Sequence, residues 1–218
     1  MALRDDDHQP VLSTVDRVCE LCFGLFMALT FVGAVSAATD GANAARTMFY
    51  TALGCNLAWG LADAVMYLVR TRTDRGRRVA LAHAVRVEPD AATGVLQLRG
   101  ELGGVMGTLV SDAELEVVRA RIAGLPDVPV RPHLNGNDYL AATGVFLLVV
   151  LGTMPVALPF LILETRPALL VSRVLTIAIL FACGLALGRH AGGGGWRSGF
   201  AMTLVGVTLT VVIIALGG

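Results

Sequence analysis

The stretch YLAATGVFLLVVLGTMPVALPFLIL, residues 139–163, runs for 25 residues without a charged side chain. A helix needs about 20 mainly apolar residues to cross the hydrocarbon core of a bilayer. The whole chain agrees with such a location, because 55% of its residues are hydrophobic and only 16% are charged. A typical soluble domain is about 25% charged. The sequence therefore predicts an integral membrane protein.

Four further segments have the length and apolar character of a membrane span. They are residues 18–39, 47–69, 167–188 and 197–217. An open sheet would leave backbone groups unpaired in lipid, so the spanning elements must be helices. We predict an all-α integral membrane protein with five transmembrane helices. Its predicted parts are a tail at 1–17, transmembrane helices 1 and 2 at 18–69, a helical insert at 70–137, and transmembrane helices 3–5 at 138–218.

The distribution of arginine predicts the orientation. Ten arginines lie between the second and third spans, and Arg4 and Arg17 precede the first span. Basic segments next to spans stay in the cytosol. We therefore expect the N-terminus and the insert to be cytosolic and the C-terminus to lie outside. The complete use of arginine over lysine is typical of a G+C-rich bacterial genome, which indicates the bacterial inner (plasma) membrane.

The insert, residues 70–137, is too long to be a simple connection. Ser111 and Glu114 fit a capping box that opens a helix, and Pro126, Pro129 and Pro132 end helical structure before the third span. We predict two or three amphipathic helices that pack together or on the membrane surface. The apolar residues at helical spacing are Val95, Leu98, Leu102, Val105 and Leu109, followed by Leu115, Val118 and Ile122.

Two polar side chains interrupt GCNLAWGLADAVMYLV, residues 54–69 of the second span. Asn56 and Asp63 are seven residues apart, so they share one helix face about 10 Å apart along the axis, and Met66 continues that face. A carboxylate at this depth costs at least about 2.5–3.5 kcal/mol, so it must face the bundle, a partner or water. Asp63 is therefore either a structural hydrogen-bonding group or a site for a cation or proton.

The first span supplies a second carboxylate at its cytosolic edge. Glu20 follows Arg17 by one turn, and Met27 lies further along the same face. Because the two spans run in opposite directions, Glu20 and Asp63 both fall in the cytosolic half and could converge. Two carboxylates with a nearby thioether suit a divalent first-row metal. The alternative for Glu20 is an interfacial ion pair with Arg17.

Other motifs favour packing over chemistry. Cys19 and Cys22 form a CxxC without a second pair, so ordinary apolar cysteines are expected and not a zinc site. The spacing of Gly184 with Gly188, and of Gly199 with Gly206, indicates close helix packing. We expect no enzyme, because the chain has no nucleophile elbow and no HExxH motif. Its zero net charge points to no nucleic-acid partner.

The spans resemble those of the vacuolar iron transporter family. FLLVVLGTMPVALPFLI (146–162) looks like that family's third span, RSGFAMTLVGVTLTVVIIALGG (197–218) like its fifth, and GCNLAWGLADAVMYL (54–68) like its second. The resemblance implies a homodimer that moves Fe²⁺ or Mn²⁺ out of the cytosol in exchange for protons. The path would lie at the two-fold interface.

Carried onto this chain, the family's path-lining positions are Glu20, Asp63 and Met66. We expect Glu20 and Asp63 to coordinate the metal or exchange protons, Asn56 and Met66 to be auxiliary ligands, and Met27 to be a further candidate metal ligand. The metal is cargo, so no cofactor is expected; the expected partners are metal ions, protons, membrane lipids and a second copy. The chain departs from the family at two places. The family's first span has an Asp-Gly signature, whereas this chain has Glu20 in a different local sequence. The family's insert has a ladder of glutamates, whereas this insert has none and opens with the basic RTRTDRGRRV. The alternative function is a membrane scaffold or regulator that keeps the fold without transporting.

Overall fold

The computed structural model describes residues 14–38, 44–126, 128–129 and 131–215. Most of the predicted tail, residue 39 of the predicted first span and residues 216–217 of the fifth lie outside this part of the chain. The described residues form helices and no strand. The helices are α1 (Thr14–Ala38), α2 (Ala44–Val87), α3 (Ala91–Leu102), α4 (Gly104–Leu109), α5 (Asp112–Ala123), α6 (Gly136–Ala157), α7 (Pro159–Ile162), α8 (Thr165–His190) and α9 (Gly195–Ala215).

Four helices in the described part of the chain are long and apolar enough to cross a membrane: α2, α6, α8 and α9. Their outer surfaces carry large exposed apolar side chains, among them Leu151, Leu170 and Leu204. A water-soluble surface rarely exposes apolar area on this scale. The chain is thus an all-α protein with the composition of a multi-pass membrane protein. The predicted first span is helical as α1 but is not among these four.

Helix α2 continues from the predicted end of the second span, residue 69, to Val87. The added stretch is rich in arginine and alanine, both good helix formers, and the helix stops just before Pro89. Its apolar residue Val85 packs with Val95, Leu98 and Leu115 in a small buried core. Residues 68–138 form one compact unit around that core, and residues 14–67 with 139–215 form the other.

Between the end of α2 and the start of α6, the described residues form three helices, α3, α4 and α5. The capping box is confirmed: the Ser111 hydroxyl accepts from the Glu114 amide at 3.4 Å, and the Ser111 amide donates to Glu114 Oε2 at 2.8 Å. Hydrogen bonds from the hydroxyl and amide of Ser111 lower the pKa of the Glu114 carboxyl. The apolar run from residue 95 to 109 does not form one helix. Gly103 and Gly104 have φ of 55° and 46°, which separates α3 from α4.

Arg75 of α2 and Asp138, in the first turn of α6, form a bidentate ion pair. Arg75 Nη1 and Nη2 donate to Asp138 Oδ2 and Oδ1 at 2.6 and 2.8 Å, and Nη1 also donates to the His133 carbonyl. The Asn135 amide donates to Asp138 Oδ2, while the Asp138 amide donates to Asn135 Oδ1. This reciprocal pair has the form of a capping box. Asp138 therefore takes part in the cap at the start of α6 and also forms the ion pair with Arg75 of α2.

The predicted third span is divided near its end. Pro155 lies inside α6, and α7 begins at Pro159 after the helix ends at Ala157. Pro159 has no amide hydrogen to donate, and its ring clashes with the preceding turn of a continuing helix. Leu158 still donates to the Met154 carbonyl at 3.0 Å. The two prolines therefore shorten the regular helix of this span.

Helices α8 and α9 pack through their glycines, as the spacing predicted. A Cβ atom at Gly184 would lie 2.5 Å from the Ser198 carbonyl and 2.9 Å from Gly199 Cα. One at Gly188 would lie 2.9 Å from Gly195 Cα. The backbones approach so closely that the positions admit no side chain.

Gly184→Ala is expected to lower the thermal unfolding midpoint in detergent. The new methyl group meets fixed backbone atoms, and overpacking of this kind costs about 1–3 kcal/mol. Gly144→Ala is the matched control, because Gly144 lies in α6 with no neighbouring atom within 4 Å of a built Cβ. Alanine is the better helix former, so the control is expected to leave the midpoint unchanged or slightly raised. Equal midpoints for the two variants would contradict the close α8–α9 contact.

Candidate functional site

Helix α6 packs against both α1 and α2. A Cβ at Gly24 of α1 would meet Thr153 and Val149, and one at Gly60 of α2 would meet Phe146 and Val150. Both helices therefore contact the same level of α6.

The connection between α1 and α2 sets their relative direction. Only five residues separate Ala38, the end of α1, from Ala44, the start of α2. Gly24 and Gly60, which both contact α6, lie 14 and 16 residues from that connection, so the two helices are antiparallel.

An aromatic contact joins α1 to α2 at this level. The rings of Phe23 and Trp59 meet edge to face, with their centroids 5.3 Å apart. Such pairs contribute about 0.5–1.5 kcal/mol beyond the area they bury. The contact gives a reference point from which the positions of the predicted ligands can be measured along both helices.

The two predicted carboxylates lie on one side of this aromatic pair. Glu20 precedes Phe23 by three residues and Asp63 follows Trp59 by four, which are about 4.5 and 6 Å along the respective axes. Because the helices are antiparallel, both displacements point the same way. Glu20 and Asp63 are half-buried, and each has an interaction partner in the chain. The fold therefore brings the two acids to one level.

Asn56 and Met27 lie on the other side of the aromatic pair, again at one level. Met27 follows Phe23 by four residues and Asn56 precedes Trp59 by three, so these two displacements also agree in direction. Asn56 is buried with 5% exposure, and Met27 is half-buried. The predicted ligands thus form two layers, acidic and neutral, separated by the rings.

Met66 lies in neither of these two layers. Its side chain is 56% exposed, and its neighbours Leu61 and Val65 are exposed with it. The small residue Gly54 of the same helix also has an open surface. Met66 could approach a path only where α2 meets another molecule.

Among the described residues, no group of three or more His, Cys, Asp or Glu side chains comes together. A metal ion held between α1 and α2 would therefore have two carboxylates from one chain, completed by amide or thioether groups, water or a second copy. Comparison with family models and with curated proteins finds no match for the chain.

One contact of the site was not predicted from the sequence, the edge-to-face pair of Phe23 and Trp59, which joins residues far apart in the chain. Within the unit of residues 68–138, the ion pair of Arg75 with Asp138 was not predicted either. There Asp138 carried a local signal, since an acid in the first turn after Asn135 is typical of a capped helix.

Proposed function

We propose that the protein is a divalent transition-metal transporter that moves Fe²⁺ or Mn²⁺ out of the cytosol in exchange for protons. The observation that carries this proposal is the level shared by Glu20 and Asp63 on two antiparallel helices. Carboxylate oxygens suit Mn²⁺ and Fe²⁺, and the thioether of Met27 or Met66 adds a softer ligand. Ionisable groups at membrane depth commonly mark ion and proton pathways.

The proposed topology has five spans: helix α1 crosses the membrane in addition to α2, α6, α8 and α9. Its 25 residues extend about 37 Å, enough to cross the hydrocarbon core. Residues 21–39 carry no charge, and α1 packs against α8 and α9. In this proposal the N-terminus and the insert are cytosolic, the C-terminus lies outside, and the membrane is the bacterial plasma membrane.

A homodimer completes the proposed path. The exposed face of α2 around Gly54 and Met66 supports an interface at that helix, because small residues allow helices to approach closely. A second copy would also double the two carboxylates that one chain brings to the site. The likeness to the vacuolar iron transporter family supports the same arrangement.

The proposal is tested with a metal panel in proteoliposomes that contain the full chain and an internal pH dye. Fe²⁺ and Mn²⁺ are expected to cross and to change the internal pH in the direction of counter-transported protons, whereas Ca²⁺ does not. Empty liposomes are the control. No flux above that control for any metal of the panel would end the transport proposal.

A scaffold or regulator is the second candidate, and exposed arginines of α2 favour it. Arg70, Arg72, Arg77 and Arg78 are exposed near the predicted membrane boundary, where anionic headgroups attract basic segments. This function predicts no metal flux. It also predicts that residues 70–137 exchange amide hydrogen more slowly in anionic than in neutral nanodiscs, with the difference lost at high salt.

A further inference from the structure

The unit of residues 68–138 is joined to the predicted second and third spans at one end. Helix α2 leaves the predicted second span at residue 69, and the predicted third span begins at residue 139. Asp138, the residue before that span, forms its bidentate ion pair with Arg75, which follows residue 69 on α2 by less than about two turns. Both connections to the spans therefore lie beside the Arg75–Asp138 pair.

Helix α3 runs back along α2 toward this end of the unit. Three residues separate α2 from α3, and Val85 near the end of α2 packs with Val95 of α3. Near the other end of α3, the carboxylate of Glu101 lies 3.5 Å from the guanidinium of Arg77, two residues beyond Arg75. The two helices are therefore antiparallel, and α3 ends on the side of the unit from which the spans leave.

An uncharged segment follows directly after α3. Residues 102–110, LGGVMGTLV, carry no charged side chain, and they include α4. Gly107 is buried, and its carbonyl accepts a hydrogen bond from Arg99 of α3. Val105 and Leu109 are two residues before and after Gly107, so they lie on the opposite side of α4. Their side chains are 72% and 71% exposed, which makes the outer face of α4 apolar.

Arg99 fixes this segment to its neighbours. Its Nη1 donates to the carbonyl in α4, and its Nη2 donates to Asp112 Oδ1 at the start of α5 at 2.6 Å. The two glycines with positive φ turn the chain between α3 and α4. The segment is therefore a defined turn, and it holds the exposed side chains of Leu102, Val105 and Leu109.

We propose that Leu102, Val105 and Leu109 anchor this unit to the surface of the bilayer that α2 and α6 cross. The three side chains are buried at the boundary between the lipid headgroups and the acyl chains, where apolar faces of peripheral helices bind. The occupant is lipid because both spans leave the unit at the end that carries these side chains. The proposal rests on α2 and α6 crossing the membrane, and it does not depend on metal transport.

The absence of charge distinguishes this anchor from the exposed arginines of α2. Arginines attract anionic headgroups, and salt weakens that attraction. Burial of apolar side chains requires no lipid charge and is not screened by salt. The anchor is therefore expected to bind neutral lipid at both low and high ionic strength.

The test measures quenching of a single tryptophan by brominated phosphatidylcholine in nanodiscs that hold the full chain. Val105→Trp is compared with Val87→Trp, both combined with Trp59→Phe and Trp196→Phe. Val87 is the matched control, because it is a similarly exposed valine (78%) at the end of α2, about 27 Å beyond residue 69. Bromine near the headgroup end of the acyl chains is expected to remove most of the emission of Val105→Trp and none of that of Val87→Trp, at low and at high salt.

Three results would overturn the anchor. The first is equal quenching of the two tryptophans, or no quenching of Val105→Trp. The second is blue-shifted emission of Val105→Trp without quenching, because protein, such as a second copy, would then cover the face. The third is quenching that disappears at high salt, because the arginines would then hold the unit at the membrane.

A measurement on the native chain repeats the test if Val105→Trp elutes as an aggregate. The chain is irradiated in nanodiscs that contain phosphatidylcholine with a photoreactive group on its acyl chain, and the labelled peptides are mapped by mass spectrometry. Labels are expected on residues 102–110 and not on residues 84–90. Equal labelling of both segments, or none on residues 102–110, would overturn the anchor, whereas absent metal flux would count only against transport.

Discussion

Glu20→Ala and Asp63→Ala are each expected to abolish Fe²⁺ and Mn²⁺ flux in proteoliposomes while the protein remains assembled. Each variant removes one of the two carboxylates at the acidic layer beside Phe23 and Trp59. An ion that leaves water for this layer loses half of the anionic charge that offsets its dehydration. Initial rates of metal uptake, normalised to reconstituted protein, measure the effect.

Asp63→Asn separates the two interpretations of this side chain. Asparagine keeps the shape and one acceptor oxygen, but it removes the charge and puts an NH2 donor in place of the second oxygen. A structural role predicts normal flux and normal stability for Asp63→Asn, whereas an ion site predicts normal stability with flux lost. Glu164→Ala is the control, because Glu164 is an exposed carboxylate just before α8, away from the acidic layer. Normal flux in both alanine variants would end the transport mechanism.

Asp138→Ala and Arg75→Ala are each expected to destabilise the unit of residues 68–138 by about 3 kcal/mol. The Asp138 side chain is 6% exposed and that of Arg75 is 22% exposed. Loss of either partner leaves a largely buried charge without its counter-ion, and Asp138→Ala also removes the hydrogen bond from the Asn135 amide. Amide hydrogen exchange within residues 68–138 measures the loss of protection.

The double variant Arg75→Ala with Asp138→Ala is expected to lose less unfolding free energy than the sum of the losses in the two single variants. The reason is that neither charge of the pair is left without its counter-ion. The pair of Arg77 and Glu101 serves as the comparison. Their side chains are 67% and 49% exposed and 3.5 Å apart, so the same cycle there should give a coupling below about 1 kcal/mol. Similar coupling energies for both pairs would contradict the role assigned to Asp138.

The helical architecture could be predicted because lipid restricts the choices. The length of the apolar segments predicts helices long enough to span a membrane. The spacing of the glycines predicted the α8–α9 contact, and the capping box of Ser111 and Glu114 predicted the start of α5. The extension of α2 to Val87 was missed because arginine and alanine continue a helix as well as leucine does. The break at Gly103 was missed because the apolar spacing continues across it.

The site was less predictable than the fold. Asp63 and Glu20 stand out because charge is rare in an apolar segment. Their common level depends on the packing of α1 and α2 against α6, which no local pattern specifies.

The edge-to-face contact of Phe23 and Trp59 also has an optical consequence. The chain has two tryptophans, and Trp196 lies elsewhere, against Phe181 at the start of α9. Trp196→Phe would leave Trp59 as the sole indole fluorophore, positioned between the acidic and neutral layers. Its emission would then respond to quenching by a paramagnetic ion such as Mn²⁺ in either layer, so occupancy could be followed in real time without an added label.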